Sequence, residues 1–229
     1  MPISLVQNTL GTASAASISV AFSSNIGAGN IIAVGVSTAI AIPGTVTDNQ
    51  GNTYALAKLQ STGGAFADVA SIFYAPNAVG GAGTITVQAD SSHHISVFLT
   101  EWAGALPVSP LDVTNGGTAS SSTTISPGAV TPSQANSLIL SQGADFSFPG
   151  VNQIPTPATN YTLINNVNDD GNTAERGYNE YLIQGAAAAT TASFTVGTAT
   201  KSAAVVAVFK PVPAGAGPVG YKSLLGVGR

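Results

Sequence analysis

Short runs rich in β-branched residues, separated by clusters of Gly, Pro, Asn and Asp, recur from one end of the chain to the other, which is the pattern of an all-β protein. The runs predict strands near 3–9, 17–22, 30–38, 53–59, 69–75, 83–89 and 95–102, then near 123–126, 136–143, 160–165, 177–184, 191–196 and 202–210. Helical signal is thin. The alanines at 186–189 follow Gly185 and lead into the β-branched pair Thr190-Thr191, so a loop is expected there.

The two sets of runs resemble one another. Gly11-Thr12-Ala13-Ser14 recurs as Gly117-Thr118-Ala119-Ser120, and Asn30 before Ile31-Ile32 recurs as Asn136 before Leu138-Ile139. Further matches follow in order: Asn52 with Asn160, Tyr74 with Tyr181, Thr86-Val87 with Thr195-Val196, and 97–99 with 206–208. The offset drifts only from 106 to 109. Ordered matches of this kind predict a duplicated unit, with pseudo-repeats at about 11–102 and 117–210. A duplicated β unit can form tandem sandwiches or one larger sandwich with interleaved halves. The join through Leu106-Pro107 and Pro110-Leu111-Asp112 has no long polar linker, which favours a single antiparallel, jelly-roll-like sandwich over 1–211. Residues 212–229 differ: a Gly/Pro linker leads to an apolar tail in which Tyr221, Leu224, Leu225 and Val227 are candidate interaction residues.

Composition narrows the picture. Only 7% of the 229 residues are charged, against about 25% in average soluble domains. The surface is therefore built from Ser, Thr, Asn, Gln and Gly, which desolvate more cheaply than ions and suit packing against other molecules. Six Lys and Arg against ten Asp and Glu leave no basic stripe for nucleic acid. The longest apolar stretch, 31–43, is too short for a spanning helix, and Met1-Pro2-Ile3-Ser4 does not begin a signal peptide. The absence of Cys excludes disulfides and thiolate chemistry.

Candidate chemistry is sparse. Glu175 and Glu180 are five residues apart, so a regular strand sends them to opposite faces and they form no acid pair. His93 and His94 diverge for the same reason and are expected in a loop at the strand edge. No nucleophile or phosphate-loop signature occurs. Asp169 and Asp170 in an Asn/Gly-rich loop, and Asp48 in Asp48-Asn49-Gln50-Gly51-Asn52, are weak calcium candidates, with tight turns as the alternative reading. No other cofactor is expected. Trp102 is the candidate for stacking on a sugar.

Thr47-Asp48-Asn49-Gln50-Gly51-Asn52-Thr53-Tyr54-Ala55-Leu56, Ile72-Phe73-Tyr74-Ala75, Thr84-Ile85-Thr86-Val87 and Leu99-Thr100-Glu101-Trp102-Ala103-Gly104 resemble a widespread set of β-sandwich proteins of bacteria and phages. The likeness continues through Pro110-Leu111-Asp112 and 204–210, and Gly220-Tyr221-Lys222-Ser223-Leu224-Leu225 resembles the ends of some phage and prophage structural proteins. These motifs are turns and strand ends and carry over no catalytic residue. The resemblance implies a non-enzymatic virion surface protein, such as a phage capsid decoration or head-fibre subunit. It would be made in the host cytoplasm, pack against capsid or another virion protein, and form homo-oligomers. The alternative is an extracellular carbohydrate-binding or adhesive module that recognises a host glycan.

Overall fold

The structure, a computed structural model, describes residues 2–65, 67–146, 153–168 and 175–214. Among them every named element is a strand. The first half contains β1 (Ser4–Ala21), β2 (Ile31–Ala39), β3 (Pro43–Asp48), β4 (Ala55–Ser61), β5 (Asp68–Ala75) and β6 (Thr84–Ala103). The second contains β7 (Leu111–Ile125), β8 (Ala129–Val130), β9 (Ser137–Phe146), β10 (Thr156–Pro157), β11 (Thr162–Val167), β12 (Glu175–Gln184), β13 (Thr190–Thr191) and β14 (Phe194–Phe209). The protein is all-β, and its pairings are antiparallel.

Two six-stranded sheets dominate. One runs β1-β6-β2-β5-β4 with β3 also beside β6; the other runs β10-β14-β9-β12-β11 with β7 also beside β14. Among the described residues no strand of one half enters the sheet of the other. The halves do not interleave; they meet face to face.

The periodicity of β2 explains why both faces need a partner. Ile31 to Thr38 is buried without interruption. Successive side chains point to opposite sides, so Ile32, Val34 and Val36 enter a core internal to the first unit, while Ile31 and Ala33 join Leu138, Leu140, Val205 and Phe209 between the units. A sheet covered on both sides reads as a continuous apolar run, and within the stretch 31–43 this holds for 31–38, beyond which Ile42 is exposed. The internal core is closed by the far half of the β1–β6 ribbon, where Val20, Ile85 and Val87 pack with Val46 of β3. In the second unit Ile139, Val206 and Val208 pack with Tyr161, and Tyr178 packs with Phe194 and Ile125.

The two sheets share a register. Moving 107 residues along from the pair Ile31↔Trp102 gives Leu138↔Phe209, and the same step from Ala39↔Asp68 gives Phe146↔Glu175. Contacts across the junction follow that step too. Trp102 meets Tyr181 edge-on at 4.8 Å between ring centroids, and Phe209 meets Tyr74 at 5.3 Å. Polar pins cross the apolar junction: Gln142 Nε2 donates to Ser37 Oγ at 2.7 Å, and Ser37 Oγ donates to the Gly143 carbonyl at 2.9 Å. The chain between the units is held short by Val212 N donating to Gly104 O and Lys210 N to Pro110 O.

Several expected strands merge. Runs 3–9 and 17–22 are one strand, β1, and 83–89 and 95–102 are one strand, β6: Asp90-Ser91-Ser92 has no partner in β1 and forms the irregularity at Ala15/Ser17, on either side of which the same two strands pair. His93 and His94 therefore lie within β6 and not in an edge loop. β7 was expected only at its end, because its Gly116-Gly117 and Ser/Thr run has no apolar alternation. The small residues fit close approach: a Cβ on Gly117 would lie 2.4 Å from the Ser126 carbonyl oxygen.

Candidate functional site

The Asp48 turn is the most elaborate polar feature on the surface. Asp48 Oδ1 accepts from the backbone N–H of Gln50 at 2.9 Å and of Asn52 at 3.0 Å; Oδ2 accepts from Asn52 Nδ2 at 2.7 Å and Tyr54 Oη at 2.9 Å. Burial opposes the charge, but the bonds from Asn52, Tyr54 and Gln50 outweigh it and hold the carboxyl below its ordinary value. The left-handed φ of 80° at Gly51 lets the chain wrap around the carboxylate. Asn49 and Gln50 then donate to the Ala82 carbonyl, and Asn52 Oδ1 accepts from Val79 N. Each oxygen accepts two hydrogen bonds, and with the bonds to Ala82 and Val79 the turn braces the loop 48–54 against 79–84. Asp169 and Asp170 lie outside the described residues, as do Tyr221, Leu224, Leu225 and Val227.

Most other carboxylates are withdrawn from solvent. Of the eight described acidic residues, Asp68, Glu101, Asp145, Glu175 and Glu180 are buried. Glu101 accepts from Gly27 N at 2.7 Å and from Gln7 Nε2 at 2.6 Å. Asp145 is held in a two-pronged ion pair by Arg176, with Nε–Oδ1 at 2.9 Å and Nη2–Oδ2 at 2.6 Å, and also accepts from Tyr178 Oη. Glu180 accepts from Ala158 N at 3.0 Å and Ser193 N at 2.8 Å, yet burial still pushes it up to about 7. As expected from their spacing, Glu175 and Glu180 lie on opposite faces of β12, which pairs with β9 without a bulge.

Glu175 is different. It is fully buried, faces the junction like Gly177 and Tyr181, and neither side-chain oxygen has a hydrogen-bond partner. Burial and then the charge of Asp68 hold its carboxyl well above the ordinary carboxylate range. Asp68, at the equivalent position of the first unit, accepts from Thr62 Oγ1 through Oδ2 and leaves Oδ1 without a partner. Burial pushes it up to about 7 against the pull of Lys201. The sequence reading missed this pair because the two residues are 107 apart, although each precedes a strand tyrosine, Tyr74 or Tyr181, by six residues.

Trp102 has no exposed surface. Its Nε1 donates to Thr100 Oγ1 at 2.8 Å and its ring packs on Tyr181. The sugar-stacking expectation for Trp102 is overturned: the hydrophobic gain from burying the indole between the units has taken the ring out of reach of any ligand.

One cavity of about 550 Å³ lies among Pro2, Gln134, Asn136 and 211–214, and another of about 380 Å³ lies beside 51–53, Ala55, Tyr74 and Asn77. No carboxylate, histidine or cation lines either one. Among the described residues no group of acids and histidines is placed to hold a metal ion, and no helix is long and apolar enough to cross a membrane.

The remaining candidate is an edge. Among the described residues β1 pairs only with β6, so its other side offers N–H and C=O groups that no described strand pairs over a strand of 18 residues. It contains no charge and no proline. Bulges at Leu5/Gln7 and Ala15/Ser17 bound a regular stretch, 7–15, centred near Leu10, which is 38% exposed. Comparison with protein-family models, with curated proteins and with solved structures gives no match.

Proposed function

We propose that the chain is a non-enzymatic structural protein of a virion surface, such as a phage capsid decoration or head-fibre subunit, that assembles by strand addition at open sheet edges. The observation that carries this reading is the uncharged, proline-free edge of β1. Natural edge strands are normally blunted by lysine, proline or a covering loop, and an edge without charge or proline across its regular stretch favours another strand beside it. A second copy of the chain fits, since it brings the same uncharged edge and no ion to desolvate. The burial of five acids leaves few charges to repel a neighbour.

The two units are read here as copies of one jelly-roll-like ancestor. The shared 107-residue register and the long β1 and β6, each serving two layers, support that origin. The virion setting draws on the resemblance of the Asp48 turn and the tail, with synthesis in the host cytoplasm and capsid protein as the further partner. Residues 212–229 are the proposed anchoring arm, and a chain cut at 211 should no longer occupy particles. The alternative of a glycan-binding module loses its aromatic residue with the burial of Trp102.

Sedimentation over a range of concentrations tests the edge. The wild-type chain should self-associate, and Leu10→Lys, which places a charge at the centre of the regular stretch, should sediment as a monomer. A wild-type chain that stays monomeric at every concentration, or an L10K chain that associates as well as wild type, would overturn the reading.

A further inference from the structure

We propose that the junction between the two units is a proton-held latch: it stays closed while at least one of its two buried carboxyls, Glu175 of β12 or Asp68 of β5, carries a proton, and it loosens when both are ionised.

The geometry begins with equivalence. Asp68 lies opposite Ala39 and Glu175 opposite Phe146, positions related by the same 107-residue step, so the two carboxyls come from matching corners of the two sheets. Both faces belong to the apolar junction, at the end away from the Trp102–Tyr181 and Tyr74–Phe209 ring pairs. Three oxygens, Glu175 Oε1 and Oε2 and Asp68 Oδ1, have no donor. A buried carboxylate without donors pays a large desolvation penalty, whereas the neutral acid does not.

The charged groups at this end are few among the described residues. Lys201 of β14 donates to the Gly63 carbonyl at 3.1 Å and attracts Asp68. The Asp145–Arg176 ion pair of β9 and β12 lies on the other face of the second sheet. His94 of β6, one residue beyond the Ile95↔Thr38 pair, is bonded to Ser96 Oγ. β1, β2 and β11 contribute no titratable side chain. Lys201 supplies one positive charge toward Asp68, so Asp68 can ionise first, and the second ionisation, at Glu175, then places two negative charges in the junction. Burial and the Asp68 charge both delay that step, so the junction should be closed in acid and loosen above neutrality.

The absence of cysteine provides a clean probe. Ala144 is fully buried in the junction, one strand position from the Ser37 pin, and the thiol of an Ala144→Cys protein reacts with Ellman's reagent only when the junction opens. Rates are divided by those of the same chain in urea at each pH, which removes the ionisation of the thiol itself. Between about pH 5 and about pH 9 the protection of A144C should fall roughly tenfold or more, and with Glu175→Gln added it should stay within about twofold. Asp68→Asn, which removes the facing charge and serves if E175Q folds poorly, should give a smaller fall than the parent. Unchanged protection in A144C across this range, or an equal fall in the E175Q background, would overturn the latch. So would restoration of protection at about pH 9 by millimolar calcium chloride, because a cation and not a proton would then hold the pair.

Discussion

Asp48 shows how a single side chain can look like a ligand and act as a brace. Four donors converge on it, and each bond to a charged acceptor is worth about 1.5–3 kcal/mol where burial is substantial and less where solvent competes. Asp48→Ala should lower unfolding stability by about 2 kcal/mol, read as a shift of the urea midpoint at constant slope, while added calcium should leave wild type and variant unchanged. Because the folded carboxyl lies below its ordinary value, this contribution is present above about pH 4 and is lost as the pH falls further. Trp102 illustrates the reverse error. A lone tryptophan at a strand end looks like a binding platform, but here it fills the junction, and Trp102→Ala should cost about 3–5 kcal/mol in the same assay.

Among the elements, the ones legible in the sequence are those with one kind of surface. β2, β5 and β9 announce themselves by β-branched and apolar runs, because both their faces are buried. The long strands were read in pieces, since Gly11 carries turn chemistry that pairing with Val97 overrides, and Asp90-Ser91-Ser92 is an irregularity on both sides of which β1 and β6 pair. β7 was largely invisible: its outward residues are Ser and Thr, and its glycines answer to neighbours far away in sequence. The buried carboxylates were illegible for a similar reason, as an acid in a polar strand reads as solvated until the opposite sheet is known. Gly177 marks that hidden contact. A Cβ there would lie 2.8 Å from both the Phe98 ring and Ser37 Oγ across the junction. Gly177→Val should destabilise by roughly 1–3 kcal/mol or more, checked by urea unfolding, because a packed ring and a pinned hydroxyl must both move.

At the scale of the whole molecule, the balance of carboxyls sets an unusual pH profile. Asp68 and Glu180 have ordinary values of 3.8 and 4.5 and are pushed up to about 7 in the fold. A raised value means the folded state prefers the proton, so their contribution is full below about pH 4 and is lost as the pH rises through about 7; Asp48 acts in the opposite sense only below about pH 4. Stability should therefore peak in mild acid and fall by roughly 2 kcal/mol or more by about pH 8, followed by urea unfolding at each pH. In the proposed assembly, the same withdrawal of acids into the interior favours contact with further copies, with β1 as the template. Electron cryo-microscopy of the assembled protein reads that directly. The account predicts a second strand hydrogen-bonded along 7–15 of β1, continuing the first sheet into its neighbour; particles joined through any other surface with the β1 edge bare, or isolated two-unit monomers, would contradict it.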